Sequence, residues 1–480
     1  MQNCDILIRG GTVVDGTGAT GYAGDVAIAG DRIVAVGDCS GWHGAQVIDA
    51  AGKIVAPGFI DVHTHDDVAV LETPAMPFKI TQGVTTIIPG NCGISAAPLA
   101  FEGELPAPFT LMFQAERSRF PSVTAYRQAF AEARPAVNVG LLVGHSTLRV
   151  GAMGLDLGRG ANAAEVEVMG AALERALAEG AIGLSSGLEY PPSKAAEIDE
   201  IVPLARRLGG FPHAVYTSHM RDEGDGLLDS VRETLETGRR SGARVVISHH
   251  KCAGMRNFGR SVETLAMIAK AQESQQVGLD VYPYTAASTA LLHSFAATTP
   301  EVKVMWSRPH PEMGGRMLDD IAASWGVSRE EAIDRLHPAG AIYFCMDEGD
   351  LRRIISFPTS MIGSDGIPGS EKPHPRLWGT FPRVLGKYAR EEGLLSLAQA
   401  VHKMTGLSAA QFGLSDRGRL AAGRKADVVV FDAETVIDRA TYDDPEQPAA
   451  GISHVLVNGV VTLADGVQGA AGAGEFLSHQ

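Results

Sequence analysis

Residues 54–65 run Ile54-Val-Ala-Pro-Gly-Phe-Ile-Asp61-Val-His63-Thr-His65. An apolar run ends in two histidines at i and i+2, a spacing that on a strand points both imidazoles to one side, where they can share a cation. A His-x-His pair alone is a modest signal, since most such pairs are incidental. Its place directly after an apolar strand-like run gives it weight.

Seven later segments have the same form, an apolar run closing in polar or chemically able residues. They are VTTIIPGNCG (84–93), VNVGLLVGHS (137–146), GAIGLSSGLEY (180–190), HAVYTSHMRDE (213–223), ARVVISHHK (243–251), QVGLDVYPY (276–284) and TSMIGSDG (359–366). Helix-like stretches such as ANAAEVEVMGAALERALAEG (161–180) and GLLDSVRETLETGRRSG (226–242) alternate with them. Eight strands alternating with helices predict an α/β fold, a (β/α)8 TIM barrel, whose active site lies at the C-terminal strand ends. The strand-end landmarks His63, Cys92, His145, Ser185, His219, His249 and Tyr282 are 29 to 53 residues apart, whereas Tyr282 to Asp365 spans 83. The excess predicts an inserted subdomain after strand seven, at about 287–340, with MLDDIAASWGVSREEAIDRL read as helical and the whole capping the pocket.

On either side of the barrel the texture is short, glycine-broken strands: CDILIRGGTVVDG and GDVAIAGDRIVAVGD near the start, RGRLAAGRKADVVVFD and ISHVLVNGVVTLADG near the end. The similar ends predict one small β-sandwich domain built from residues 1–60 and 415–480, flanking a barrel of residues 61–414.

The 480 residues carry 41 Lys plus Arg against 56 Asp plus Glu, a formal charge of −15. That excess of acid argues against a nucleic-acid or anionic-membrane binder. Five scattered cysteines without a Cys-x-x-Cys pair form no disulfide framework, which points to a reducing compartment. The start, MQNCDILIRGG, has neither the basic nor the apolar region of a secretory leader, and no apolar run reaches membrane-spanning length. A cytoplasmic protein, monomeric or a small homo-oligomer, is expected.

Cys92 ends strand two between Asn91 and Gly93, His219 and His249 end strands five and six, and Asp365 ends strand eight. For any one of them a buried core residue or a loop cap is the ordinary role. Together with His63 and His65 at strand ends they suggest a shared metal, and a His, Cys and carboxylate donor set favours zinc over magnesium or calcium. His249 is preferred to His250 because it comes first off the apolar run, which leaves His250 on the opposite face.

PGFIDVHTH, IIPGNCG, YTSHMRDEG, VVISHHKCAG, DVYPY, MIGSDG and HPRLWGTFPRVLG together resemble the amidohydrolase superfamily, and within it the N-acyl-D-amino-acid deacylases (D-aminoacylases). The resemblance covers nearly the whole chain. It implies zinc-dependent hydrolysis of the amide bond of N-acyl-D-amino acids, with Asp365 as the catalytic proton carrier. It also implies a tightly bound zinc held by Cys92, His219 and Asp365, and a weaker second position lined by His63, His65 and His249, with Cys92 bridging. Many two-metal relatives bridge with a carboxylated lysine ending strand four, but GLSSGLEYPP reaches Lys194 only beyond that strand. Lys251, Tyr282 and Arg376 match positions that grip the substrate's α-carboxylate, and an anionic substrate facing a −15 protein needs such local partners. TAASTALLHSF (285–295) holds no Lys or Arg, so neutral hydrophobic D-amino acids are the expected side chains unless Arg308 or Arg316 reaches in from the insert. The competing activity is cyclic-amide hydrolysis of hydantoinase or dihydropyrimidinase type, and the non-enzymatic alternative is a metal-free scaffold.

Overall fold

The computed structural model describes residues 2–113, 118–370, 372–469 and 471–478. The stretch 54–65 does not form one strand, as its apolar run suggested. Ile54–Pro57 pairs antiparallel with Val428–Phe431 and parallel with Gln2–Val13, whereas Phe59–Asp61 pairs with Val84–Ile87. Gly58 makes the step between the two sheets, and the crowding there explains the residue: a Cβ would lie 2.3 Å from the Thr85 side chain. One short apolar run thus stitches two sheets together.

The barrel strands are Phe59–Asp61, Val84–Ile87, a third broken into Asn138–Val139 and Leu142–Gly144, then Gly183–Gly187, Val215–His219, Arg244–Ile247, Val277–Val281 and Ser360–Ile362. Every pairing among them is parallel, and a Thr64–Gly366 bridge joins the first strand end to the eighth. Inward-facing Ile60, Val62, Ile88, Leu142, Ile182, Val215, Val246 and Met361 fill the interior, and Phe412 and Leu477 pack against them. Such a filled core leaves the strand ends as the place for a site. The helix read at 161–180 forms as Ala163–Ala178, started by an Asn162–Glu165 capping box.

Both chain ends enter a nine-stranded sheet that runs from Val467–Gln468 through Val428–Phe431 and Ile54–Pro57 to Arg32–Gly37. Its strands enclose Ile6, Ile8, Val26, Ile28, Val55, Val428, Val430 and Leu456 in one core. The chain between strands seven and eight carries the expected helices as Leu318–Trp325 and Arg329–Leu336. It also carries a three-stranded antiparallel sheet, Ala287–Ala290, Val302–Ser307 and Ala339–Tyr343, so the insert is mixed rather than helical. Strands as short and small-residued as Ala-Ser-Thr-Ala give little pattern to read. Among the described residues no helix is long and apolar enough to cross a membrane.

Candidate active site

The strand ends and the insert enclose a cavity of about 1410 Å³. Its floor holds His65, Cys92, His219, His249 and Asp365, and Ser288, Leu292, Phe295 and Tyr343 from the insert wall it on one side.

Cys92, His249 and Asp365 each leave their strands in a left-handed backbone conformation, with φ of 53°, 32° and 49°. Non-glycine residues adopt this rarely, and such strain concentrates where geometry serves function. Gly187, at the end of strand four, makes room for the turn: a Cβ there would lie 2.1 Å from the Cys92 carbonyl oxygen.

Cys92 Sγ lies 3.3 Å from both His63 Nε2 and His249 Nε2. Asp365 Oδ1 is 3.2 Å from His65 Nε2 and 3.5 Å from His63 Nε2, while its Oδ2 meets Arg376 Nη1 at 2.8 Å. Donor atoms of His63, Cys92, His249 and Asp365 all fall within 4.8 Å of one another, and so do those of His219, Glu223 and His249. The structure therefore groups His249 with both sets and His219 with Glu223, a partition different from the one the resemblance implied. The sequence-predicted ligands thus gather at the barrel rim in two groups that share His249, with His65 beside Asp365, and His250 turns away to Thr264 Oγ1 at 2.8 Å.

The electrostatics suit a cation. Burial pushes the Cys92 thiol up, but His63, His249 and His219 outweigh it and hold the thiol well below its ordinary range, the condition for a thiolate ligand. Burial likewise works against protonated His65 and His219, yet neighbouring carboxylates and Cys92 raise them to about 9 and about 10. Burial raises Asp365, and Arg376 with the histidines more than reverses this, leaving the carboxyl well below the usual range. The Nδ1 atoms of His65 and His219 are buried without a hydrogen-bond partner. Soft sulfur, imidazole nitrogens and one carboxylate, with buried nitrogens left over, fit zinc.

Lys251, Tyr282 and Arg376 also meet. The Tyr282 ring has Lys251 Nζ 5.7 Å from its centre and the Arg376 guanidinium 4.6 Å away. Both cations already hold carboxylates: Lys251 donates to Glu223 at 2.6 and 2.7 Å, and Arg376 pairs with Asp365. Arg308 and Arg316 do not line the cavity.

Four residues in contact with the cluster or with the strand end that carries it escaped the sequence reading. Asp280 accepts the His249 backbone N–H at 2.9 Å and lies 3.3 Å from His63 Nδ1. Glu189 Oε2 is 3.0 Å from His219 Nε2, and Glu223 Oε1 is 3.0 Å from His249 Nδ1. Lys79, fully buried behind the His-x-His turn, donates to Asp61, Thr64 and Ser364 at 2.6, 3.1 and 3.0 Å and so ties strand one to strand eight. Asp280 and Glu223 stand beside quoted strand ends, but only their partners reveal the role. Lys79 gives no local signal.

A parallel barrel with a histidine, cysteine and carboxylate cluster at its C-terminal rim defines a metal-dependent hydrolase of the barrel class. The chain belongs to the amidohydrolase family, whose sequence model matches residues 46–463. It is 49% identical over 458 residues to a D-aminoacylase of Alcaligenes xylosoxydans xylosoxydans, covering 95% of this chain and 94% of that one. A D-aminoacylase structure studied for its binuclear metal center superposes with a TM-score of 0.96 at 50% identity, over 99% of this chain and 100% of that one. An N-acyl-D-glutamate deacylase from Bordetella bronchiseptica, complexed with zinc and a phosphonate inhibitor that mimics the tetrahedral intermediate, gives 0.96 at 46% over the same shares. A dihydropyrimidinase from Brevibacillus agri shares the fold at a TM-score of 0.64 and 19% identity.

Proposed function

We propose that this protein is a zinc-dependent N-acyl-D-amino-acid deacylase, releasing a carboxylate and a free D-amino acid. The observation that carries it is the convergence of His63, Cys92, His249 and Asp365 on one point of the cavity floor, in a chain nearly half identical to a D-aminoacylase along its length.

Cys92, His63, His65, His219, His249 and Asp365 are the residues that would hold metal, in one tight site and a weaker second one. Zinc held there would polarise the acyl carbonyl and lower the pKa of water toward ~7. Asp365, kept ionised by Arg376, takes the proton of the attacking water at its carboxylate and returns it to the departing amine. Lys251, Tyr282 and Arg376 orient the substrate's α-carboxylate. Because Glu223 and Asp365 already neutralise the two cations, the trio contributes directed donors more than net charge.

Leu292, Phe295 and Tyr343 in the cavity wall favour neutral hydrophobic side chains. Arg329 also lines the cavity, but its guanidinium donates to the Thr299 and Pro300 carbonyls at 2.8 and 3.2 Å and lies 3.5 Å from Asp319. Five free thiols support a reducing, cytoplasmic setting.

The test is a panel of N-acetyl-D- and N-acetyl-L-amino acids with the zinc-loaded protein. N-acetyl-D-leucine, -methionine and -phenylalanine are expected to turn over well ahead of their L forms and of N-acetyl-D-glutamate. Preference for the glutamate derivative refutes the side-chain assignment, and turnover of dihydrouracil or a hydantoin alone refutes the linear-amide reading.

A further inference from the structure

Glu223 follows the fifth barrel strand and is buried at 6% exposure in the cavity wall. Its carboxylate serves two neighbours at once. Both oxygens accept from Lys251 Nζ, and Oε1 also faces His249 Nδ1 at 3.0 Å. His249 presents its other nitrogen, Nε2, to Cys92. An imidazole that offers Nε2 as a ligand carries its proton on Nδ1 and needs an acceptor there. The Lys251 ammonium, 2.8 Å from that nitrogen, has no lone pair to give, so the network assigns the acceptor to Glu223.

Two other site histidines have carboxylates behind them, His63 with Asp280 and His219 with Glu189. Neither of those carboxylates also binds one of the cations assigned to the substrate. Glu223 is near enough to His219 and His249 to share an ion with them. Both its oxygens, however, are filled by an ammonium, and a cation bound there would face that like charge directly.

We propose that Glu223 is a positioning residue that orients His249 for metal binding and anchors Lys251, so that one carboxylate joins the metal centre to the substrate-carboxylate grip. This rests on the zinc reading of the centre. Zinc affinity is measured without substrate, so an error in the substrate assignment leaves the test intact, whereas a wild-type protein without zinc affinity overturns both.

The experiment is chelator competition with zinc on the full chain, wild type against Glu223→Gln, Glu223→Asp and Lys251→Met, with circular dichroism to establish folding. Glu223→Gln keeps the shape and loses the charge, and is expected to bind zinc about 10- to 100-fold more weakly at unchanged saturating stoichiometry. Glu223→Asp keeps the charge and should regain part of that loss; it also serves if the Gln variant does not fold. Lys251→Met leaves the Glu223–His249 contact in place and should bind zinc within about threefold of wild type or tighter. Wild-type affinity in Glu223→Gln overturns the proposal. So does an equal loss in Lys251→Met, which would mark general damage, and so does the loss of one zinc per chain at saturation, which would make Glu223 a direct ligand.

Discussion

Asp365 stands between opposed demands, and its surroundings show how they are met. Arg376 on Oδ2 keeps it ionised, while Oδ1 faces the histidines. Asp365→Asn keeps the size and removes the basicity, so kcat is expected to fall by about 10²- to 10⁴-fold while the chain still folds; steady-state kinetics beside a thermal melt check this, and near-normal kcat refutes the role. The histidines, Cys92 and Asp365 were legible in the sequence because each follows an apolar run, and a run that ends in a ligand-capable residue is visible locally. Asp280, Glu189, Glu223 and Lys79 were not, because their work lies in what they touch across the barrel. Lys79 reaches Ser364, 285 residues away, and no spacing rule connects the two.

Between elements, the buried charges show the same dependence on partners. Glu200, in the helix Ile198–Arg207, accepts from Arg149, lies 2.9 Å from His145 Nε2 and accepts the Ala161 N–H at 2.8 Å, clamping that helix to His145–Met153. Burial raises its pKa, but His145 and Arg149 outweigh that and hold the carboxyl at about 2, against an ordinary 4.5. A depressed carboxylate stabilises the fold fully above its unfolded value, and that contribution is lost as pH falls from about 4.5 toward 2. Glu200→Ala leaves Arg149 buried with carbonyl partners but without its counter-charge, so it should cost about 3–5 kcal/mol at pH 7 and much less near pH 2.5. Thermal melts of both proteins across that range check it, and a pH-independent difference rules it out. The helices 163–178 and 227–241 were readable from their helix-like pattern between apolar runs. The split of residues 54–61 between two sheets was not, because apolar residues suit either sheet and only tertiary pairing chooses.

Over the whole molecule, the proposed ligands come from barrel strands one, two, five, six and eight, so a bound ion would fasten the rim of the barrel. Anything that binds only the folded state stabilises it by mass action, by about 4 kcal/mol at 1,000 times its Kd. Scanning calorimetry should therefore find the zinc-loaded protein melting well above the chelator-treated one; identical melts refute a structural contribution by the metal. The sequence by itself determined the barrel, the histidines, cysteine and carboxylate at its rim and the shared texture of the two ends, since alternating apolar runs and strand-end polar residues are local patterns set by burial. Only the tertiary structure decided which histidine meets which carboxylate, that Lys251 and Arg376 are already paired, and that the insert carries a sheet. Those outcomes depend on contacts between residues far apart in the chain, where distance and burial rather than sequence spacing set the energy.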